Sequence, residues 1–116
     1  SESDLEVDQF MELLTPENID EYAEPVEETR QVCTVGEDGL VYYAYELEDG
    51  RAANGSVLLD GMFADNKSGT KAIAGCSSNG TGVAGLDIDV FILNEDGTIT
   101  FVLYQPHKDV TVSGAN

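Results

Sequence analysis

The chain contains 116 residues, with 23 Asp or Glu against five Lys or Arg, which gives a formal net charge of −18 at pH 7. This length predicts one domain, residues 1–116. The charge excludes unaided binding to nucleic acid or to anionic membranes, because phosphate contacts require Lys and Arg. Every apolar run is far shorter than the roughly 18 residues of a membrane span, so we expect no membrane insertion.

Residues 1–28 are predicted to form two short helices. The first follows a capping box at Ser3 and Glu6, after which apolar residues recur at helical spacing. The second begins after Thr15, a favoured cap residue. It should end just before Pro25, because proline disfavours helical geometry in the residue that precedes it.

Residues 29–113 are predicted to form six or seven antiparallel strands. Apolar and polar residues alternate through this region, and Glu-Asp-Gly turns at 37–39, 48–50 and 95–97 separate the strands. The predicted strands are 29–35, 40–47, 56–63, 70–76, 86–93 and 98–105, with a short edge strand near Val110 and Val112. Helices followed by antiparallel strands define an α+β domain. We expect two short N-terminal helices packed on a six- to seven-stranded antiparallel sheet or half-barrel.

The hairpin at 86–105 carries the strongest signal, since two alternating runs flank Asp96-Gly97. Both of its faces contain apolar residues, which predicts central strands covered on both sides. The pattern leaves open whether the second face, with Phe91 and Tyr104, is intramolecular core or an exposed binding patch. In the strand at 40–47, alternation predicts Tyr43 and Tyr45 in the core and Tyr42 at the surface.

The two cysteines, Cys33 and Cys76, form no CxxC pair and have no companion His cluster, so we expect no metal site. The chain begins at Ser1 without Met, which favours a secreted or cell-surface protein whose signal peptide was removed. In that compartment a Cys33–Cys76 disulfide is expected, worth about 4 kcal/mol in the chain-entropy model. The alternative is two free, buried thiols in a cytosolic protein.

Three asparagines begin acceptor sequons for N-linked glycans: Asn54, Asn66 and Asn79. All three are predicted to lie in surface loops rich in Gly and Ser. In a secreted eukaryotic protein each could carry a glycan, whereas elsewhere the same residues are ordinary turn formers.

Few motifs suggest chemistry. The GxGxxG run at 80–85 precedes a strand instead of a helix, so no dinucleotide or other cofactor is expected. Asp87 and Asp89 share one face of a strand about 7 Å apart, a separation suitable for a glycosidase pair. Alternation alone explains them as the solvent face of that strand, and this is the preferred interpretation. The single histidine, His107, has no identifiable nucleophile beside it.

These observations favour a non-catalytic, extracellular binding module of the adhesin, inhibitor or effector kind. Its partner would be a protein, a basic one in particular, or a carbohydrate. The candidate binding face comprises Tyr42, Asp87, Asp89, Phe91 and Tyr104. The alternatives are a small extracellular hydrolase that uses a carboxylate pair and a structural subunit of a surface assembly.

Overall fold

The computed structural model describes residues 4–48, 50, 52–59, 63, 67–78, 86–107 and 111–113, with the side chains of most of them. It begins with a short strand, a seven-residue helix and a single helical turn, and continues with seven further strands. In chain order the elements are β1 (Asp4–Glu6), α1 (Val7–Leu13), α2 (Ile19–Tyr22), β2 (Ala23–Cys33), β3 (Leu40–Glu46), β4 (Ala52–Leu58), β5 (Lys71–Ser78), β6 (Leu86–Leu93), β7 (Ile99–Pro106) and β8 (Thr111–Ser113).

The protein is mostly β. Four antiparallel strands form a central sheet in the order β2-β7-β6-β5, and β3 and β4 form a separate antiparallel hairpin. The short strands β1 and β8 pair in parallel. The fold prediction is therefore confirmed in part: the six main strands are antiparallel, but they are divided between two sheets. Among the described strands the central sheet stays open, with β2 and β5 as its edges.

Two hydrophobic clusters cover the two faces of the central sheet. One cluster lies between the sheet and the helical segment: Phe10, Leu14, Ile19, Ala23, Ile88, Val90, Val102 and Tyr104. The other lies between the sheet and the β3–β4 hairpin: Cys33, Val41, Leu47, Phe63, Ala72, Phe91, Ile99, Phe101 and Leu103. The prediction that β6 and β7 are central strands covered on both sides is confirmed, and the second face is intramolecular core.

The second predicted helix is only one turn long, because β2 begins at Ala23 instead of at residue 29. Residues Ala23 to Val26 pair with β7, and Pro25 lies opposite Tyr104. A proline is tolerated there because β2 is an edge strand. The predicted helix cap at Thr15 is wrong, because α2 begins at Ile19 and its N-cap position is Asn18. Thr15 Oγ1 accepts a hydrogen bond from the Asn18 amide at 3.2 Å in the turn before the helix. Neither helix in the described part of the chain has the length and apolar composition needed to cross a membrane.

The turns lie where the sequence predicts them. Gly39, Gly50 and Gly97 end the three Glu-Asp-Gly turns with φ values of 81°, 92° and 87°. Positive φ is accessible to glycine because it lacks a Cβ. The turn at Gly50 lets β4 begin at Ala52, four residues earlier than predicted.

A bulge interrupts β2 between Val26 and Gln31. Within it Thr29 is 2% exposed. Its hydroxyl donates to the Val26 carbonyl at 2.6 Å and accepts from the Leu103 amide at 2.9 Å. In a regular ladder, a backbone carbonyl of β2 would accept the hydrogen bond from the Leu103 amide. At the bulge the Thr29 hydroxyl is the acceptor instead.

Candidate functional site

The residues of the predicted binding face do not share one surface. Phe91, Tyr104 and Asp87 are 0%, 3% and 5% exposed, whereas Tyr42 is 65% exposed. Phe91 packs toward the β3–β4 hairpin and Tyr104 toward the helical segment. The predicted binding face is therefore wrong as a single surface. Alternation did not indicate what covers the second side of β6, and in the structure the β3–β4 hairpin covers it.

Asp87 and Asp89 lie on that covered side of β6 and not on a solvent face. Asp87 Oδ1 accepts a hydrogen bond from Gln105 Nε2 at 3.2 Å. Asp89 Oδ2 accepts one from the Tyr43 hydroxyl at 3.3 Å. The neighbour of Asp89 on β5 is Gly75, where a Cβ would make an ordinary van der Waals contact of 3.9 Å with Asp89 Oδ2.

The environment of Asp89 disfavours its ionised form. Burial raises its pKa above the ordinary value and the nearby Asp87 adds to the rise, while the hydrogen bond from Tyr43 opposes it. Burial raises the pKa of Tyr43, and the Asp89 carboxylate adds to the rise. Perturbed carboxylates of this kind occur in active sites and in structural networks alike. Here the Asp87 carboxylate is nearly covered and the Tyr43 ring lies beside Asp89, so substrate access to the pair is poor.

Replacing Asp89 with asparagine is expected to raise the melting temperature at about pH 7. With a raised pKa, the folded protein binds the proton more tightly than the unfolded chain does. Ionisation therefore removes stability as pH rises from the ordinary value of 3.8 through the raised one. Asparagine cannot ionise and can still accept from Tyr43. The gain should disappear at about pH 3, where both states are protonated.

Thermal melts of Asp89→Asn across this pH range test the expectation. Glu95→Gln is the matched control, because it removes one charge from an exposed turn position. A gain that is equal at both ends of the range, or equal in the control, would show that Asp89 is not the group whose ionisation costs stability.

Tyr104 belongs to a polar network that fixes α2 to the central sheet. Its hydroxyl donates to Asp20 Oδ1 at 3.3 Å, and Lys71 Nζ lies 2.6 Å from Asp20 Oδ2. The hydrogen bond from Lys71 lowers the pKa of Asp20, although partial burial opposes the change. His107 donates its backbone N–H to the Tyr22 carbonyl at 3.0 Å, and its ring Nε2 lies 3.0 Å from the Asp20 carbonyl. These contacts give His107 a structural role at the end of β7.

The predicted disulfide is not formed, because Cys33 is a free, buried thiol. Burial raises the pKa of this thiol. Cys33 pairs with Ile99 on β7 and Cys76 with Ile88 on β6, so two strands separate the cysteines. Three strand spacings amount to about 14 Å, whereas bridged Cα atoms lie within about 7 Å. Sequence spacing gave no information on this separation across the sheet.

Of the three candidate glycan acceptors, Asn54 lies in strand β4 and is exposed, not in a loop as predicted. Asn66 and Asn79 lie outside the described residues. Asn54 faces away from the core, next to Ala44 of β3 in the hairpin register.

The outer face of the β3–β4 hairpin is an open surface of the described chain. We use the term outer face for six residues on the side of these two strands that faces away from the core: Leu40, Tyr42, Ala44, Asn54, Ser56 and Leu58. A groove of about 520 Å³ on it is lined by Tyr42, Ala44, Asn54 and Ser56, with Gln31 at its side. A second open groove of about 640 Å³ continues from Ala44 and Asn54 toward Glu46 and Ala52.

The inner side of the hairpin is held by an aromatic stack. The ring centroids of Tyr43 and Phe101 are 4.5 Å apart at an interplanar angle of 24°, and Tyr43 meets Phe91 edge-on at 5.4 Å. The Tyr43 side chain also lies across Gly55, where a Cβ would come within 2.9 Å of its hydroxyl oxygen. The hairpin thus needs glycine at this position.

Gln31 joins the edge of β3 to β2. Its side-chain amide donates to the Ala44 carbonyl and accepts from the Ala44 amide, the latter at 3.2 Å. One side chain therefore supplies both hydrogen bonds that a neighbouring strand would make at this residue. The sequence predicted the exposure of Tyr42 but gave no signal for Gln31, because the two segments are joined only in the folded chain.

Among the described residues, no three His, Cys, Asp or Glu side chains are grouped so that they could hold a metal ion. No protein-family model, curated protein or solved structure matches the chain. The outer face is therefore the part of the molecule that best indicates a function.

Proposed function

We propose that the protein is a non-catalytic binding module that engages a protein or glycan partner through the outer face. The observation that carries this proposal is Tyr42, whose side chain is 65% exposed at the side of an open groove. Tyrosine is enriched at interfaces because its ring supplies apolar contact area and its hydroxyl supplies a hydrogen bond. Asn54 and Ser56 add donors and acceptors beside it.

A second apolar side chain extends the contact area along the hairpin. Leu58 is 54% exposed and lies opposite Leu40 at the end of the outer face. Tyr42 and Leu58 belong to one continuous strip, whereas Val32, which is 68% exposed, lines a different groove beside Asn94 and Thr100. Adjacent exposed apolar side chains with polar neighbours are typical of binding surfaces.

The outer face is also held rigidly, which favours binding because little conformational freedom remains to be lost. The aromatic stack fixes the hairpin from beneath, and Gln31 fixes the β3 edge. An extracellular location is part of the proposal. Intact-mass measurement on protein from its native source would test it by detecting any N-linked glycan.

Substitution of Tyr42 with alanine is expected to weaken binding at least about 10-fold, because exposed aromatic residues act as binding hot spots. The free energy of unfolding should change by less than about 0.5 kcal/mol, since Tyr42 packs outside the core. The measurement is binding to an oligosaccharide array and to a peptide array, followed by titration of the strongest probe.

Val32→Ala is the matched control, because Val32 is equally exposed but lies outside the outer face. It should bind like the wild type. Equal binding by Tyr42→Ala and wild type would refute the assignment of the outer face. Absence of binding on both arrays, together with turnover of a glycoside substrate, would refute the non-catalytic function.

A further inference from the structure

We infer that the partner is an extended, positively charged peptide segment of another protein that lies along the outer face. This inference rests on the proposed function and narrows it to one class of partner. It follows from the distribution of charge around the hairpin and from the chemistry of the two most exposed apolar side chains.

The outer face itself is uncharged, and acidic residues flank it at both ends of the hairpin. Exposed Glu37 and Asp38 precede β3, and exposed Glu46 and Glu48 lie at its other end. Across residues 36–59 the sequence contains five acidic residues and one basic residue, Arg51. The full charge of −18 also attracts cationic partners over long range and repels anionic ones.

Two of the described basic residues outside the hairpin are paired with carboxylates elsewhere in the chain. Arg30 forms an ion pair with Glu27 at 3.3 Å, and Lys71 forms one with Asp20 at 2.6 Å. Both of these cations are thus already partnered by carboxylates. Among the described residues, Glu37, Glu46 and Glu48 form no ion pair, so their carboxylates can bind a basic partner.

The length of the hairpin sets the spacing of the partner's charges. The seven residues of β3 span about 23 Å at the rise of a strand. An extended peptide has the same rise, so basic residues about six to eight positions apart would reach both acidic ends. Between them, alternate apolar side chains would meet Tyr42 and Leu58, and a lysine could lie over the Tyr42 ring.

The same face fits a carbohydrate less well. Sugar rings stack on aromatic side chains, but the second exposed apolar group here is the aliphatic Leu58. Neutral sugars would gain no charge attraction from the acidic ends, and acidic sugars would be repelled by them. Aliphatic and cationic peptide side chains complement both features.

The test uses a labelled peptide of roughly ten residues with two lysines at each end and alternating Val and Thr between them. The control peptide has the same composition with all four lysines at one end. We expect the first peptide to bind at least about fivefold more tightly, because only it reaches both acidic ends. Its affinity should fall between about 0.1 M and about 1 M NaCl, as the Debye length shortens from about 10 Å to about 3 Å.

Two double variants distinguish the effect of the acidic residues at the hairpin ends from the effect of the overall net charge. Glu37→Gln with Glu48→Gln should weaken the preference for the first peptide. Glu17→Gln with Glu21→Gln makes the same charge change in exposed residues of the helical segment and should retain that preference. Equal loss in both double variants would overturn the inference, because it would show attraction by net charge alone.

The outcomes also distinguish this inference from the proposed function. Binding of neutral oligosaccharides that requires Tyr42, with no preference between the two peptides, would overturn the inference and leave the proposed function standing. A lack of Tyr42-dependent binding to any peptide or oligosaccharide probe would overturn both. Tighter binding of the first peptide, lost in Tyr42→Ala, would support both.

Discussion

Replacement of Phe101 by alanine is expected to lower the free energy of unfolding by about 3–5 kcal/mol. Phe101 is fully buried, and its ring centroid lies 4.5 Å from that of Tyr43 and 5.3 Å from that of Phe91. It therefore forms the contact between the central sheet and the β3–β4 hairpin. Small domains have only about 5–15 kcal/mol of total stability, so this loss is a large fraction of it.

Urea denaturation measures this change. Phe101→Leu is the control: it keeps an apolar side chain of similar volume and should cost much less. A double-mutant cycle of Phe101→Leu with Tyr43→Leu should give a coupling energy of about 0.5–1.5 kcal/mol, as expected of a stacked aromatic pair. A loss below about 1 kcal/mol for Phe101→Ala would contradict burial of this ring between the two layers.

Local signals identified the parts of the fold that depend on near neighbours in the sequence. The Asp-Gly pairs marked three turns, because positive φ at the last residue is a property of glycine itself. Alternation placed Tyr43 and Tyr45 inward and Tyr42 outward, as observed. It also identified β6 and β7 as central, because both of their faces are apolar.

Contacts between distant segments account for what the sequence did not reveal. Ile19, Tyr22 and Val26 have helical spacing, yet from Ala23 the chain pairs with β7, about 80 residues away. Tertiary pairing overrides local propensity in such cases. The division of the strands into two sheets has the same origin, since alternation specifies the faces of a strand but not its neighbours.

Of the residues in the predicted binding face, only Tyr42 belongs to the outer face. Tyr42 was predicted to be exposed, and it is. Asp87 and Asp89 were assigned to a solvent face or a catalytic pair, because acidic residues on an alternating strand usually face water. Both lie under the hairpin, where Gln105 and Tyr43 hold them. Their surroundings come from segments that no local pattern connects to β6.

Replacement of Thr29 by valine is expected to cost about 1–3 kcal/mol, because it leaves a buried backbone group without its partner. The hydroxyl is the acceptor for the Leu103 amide and the donor to the Val26 carbonyl. Valine has nearly the same shape, so packing is retained and the hydrogen bonds are lost. Leu103 lies opposite Val26 in the register, but its amide donates to the Thr29 hydroxyl, so this side chain joins the bulge to β7.

Thr29→Ser separates the two contributions, because serine keeps the hydroxyl and lacks only the methyl group. It should cost about 1 kcal/mol or less, the value of one buried methyl. Hydrogen exchange adds a local measurement: the Leu103 amide should lose protection in Thr29→Val and keep it in Thr29→Ser. If valine proved less destabilising than serine, packing and not hydrogen bonding would hold the bulge. The edge of the central sheet next to Gln31 would then be positioned by its apolar contacts alone.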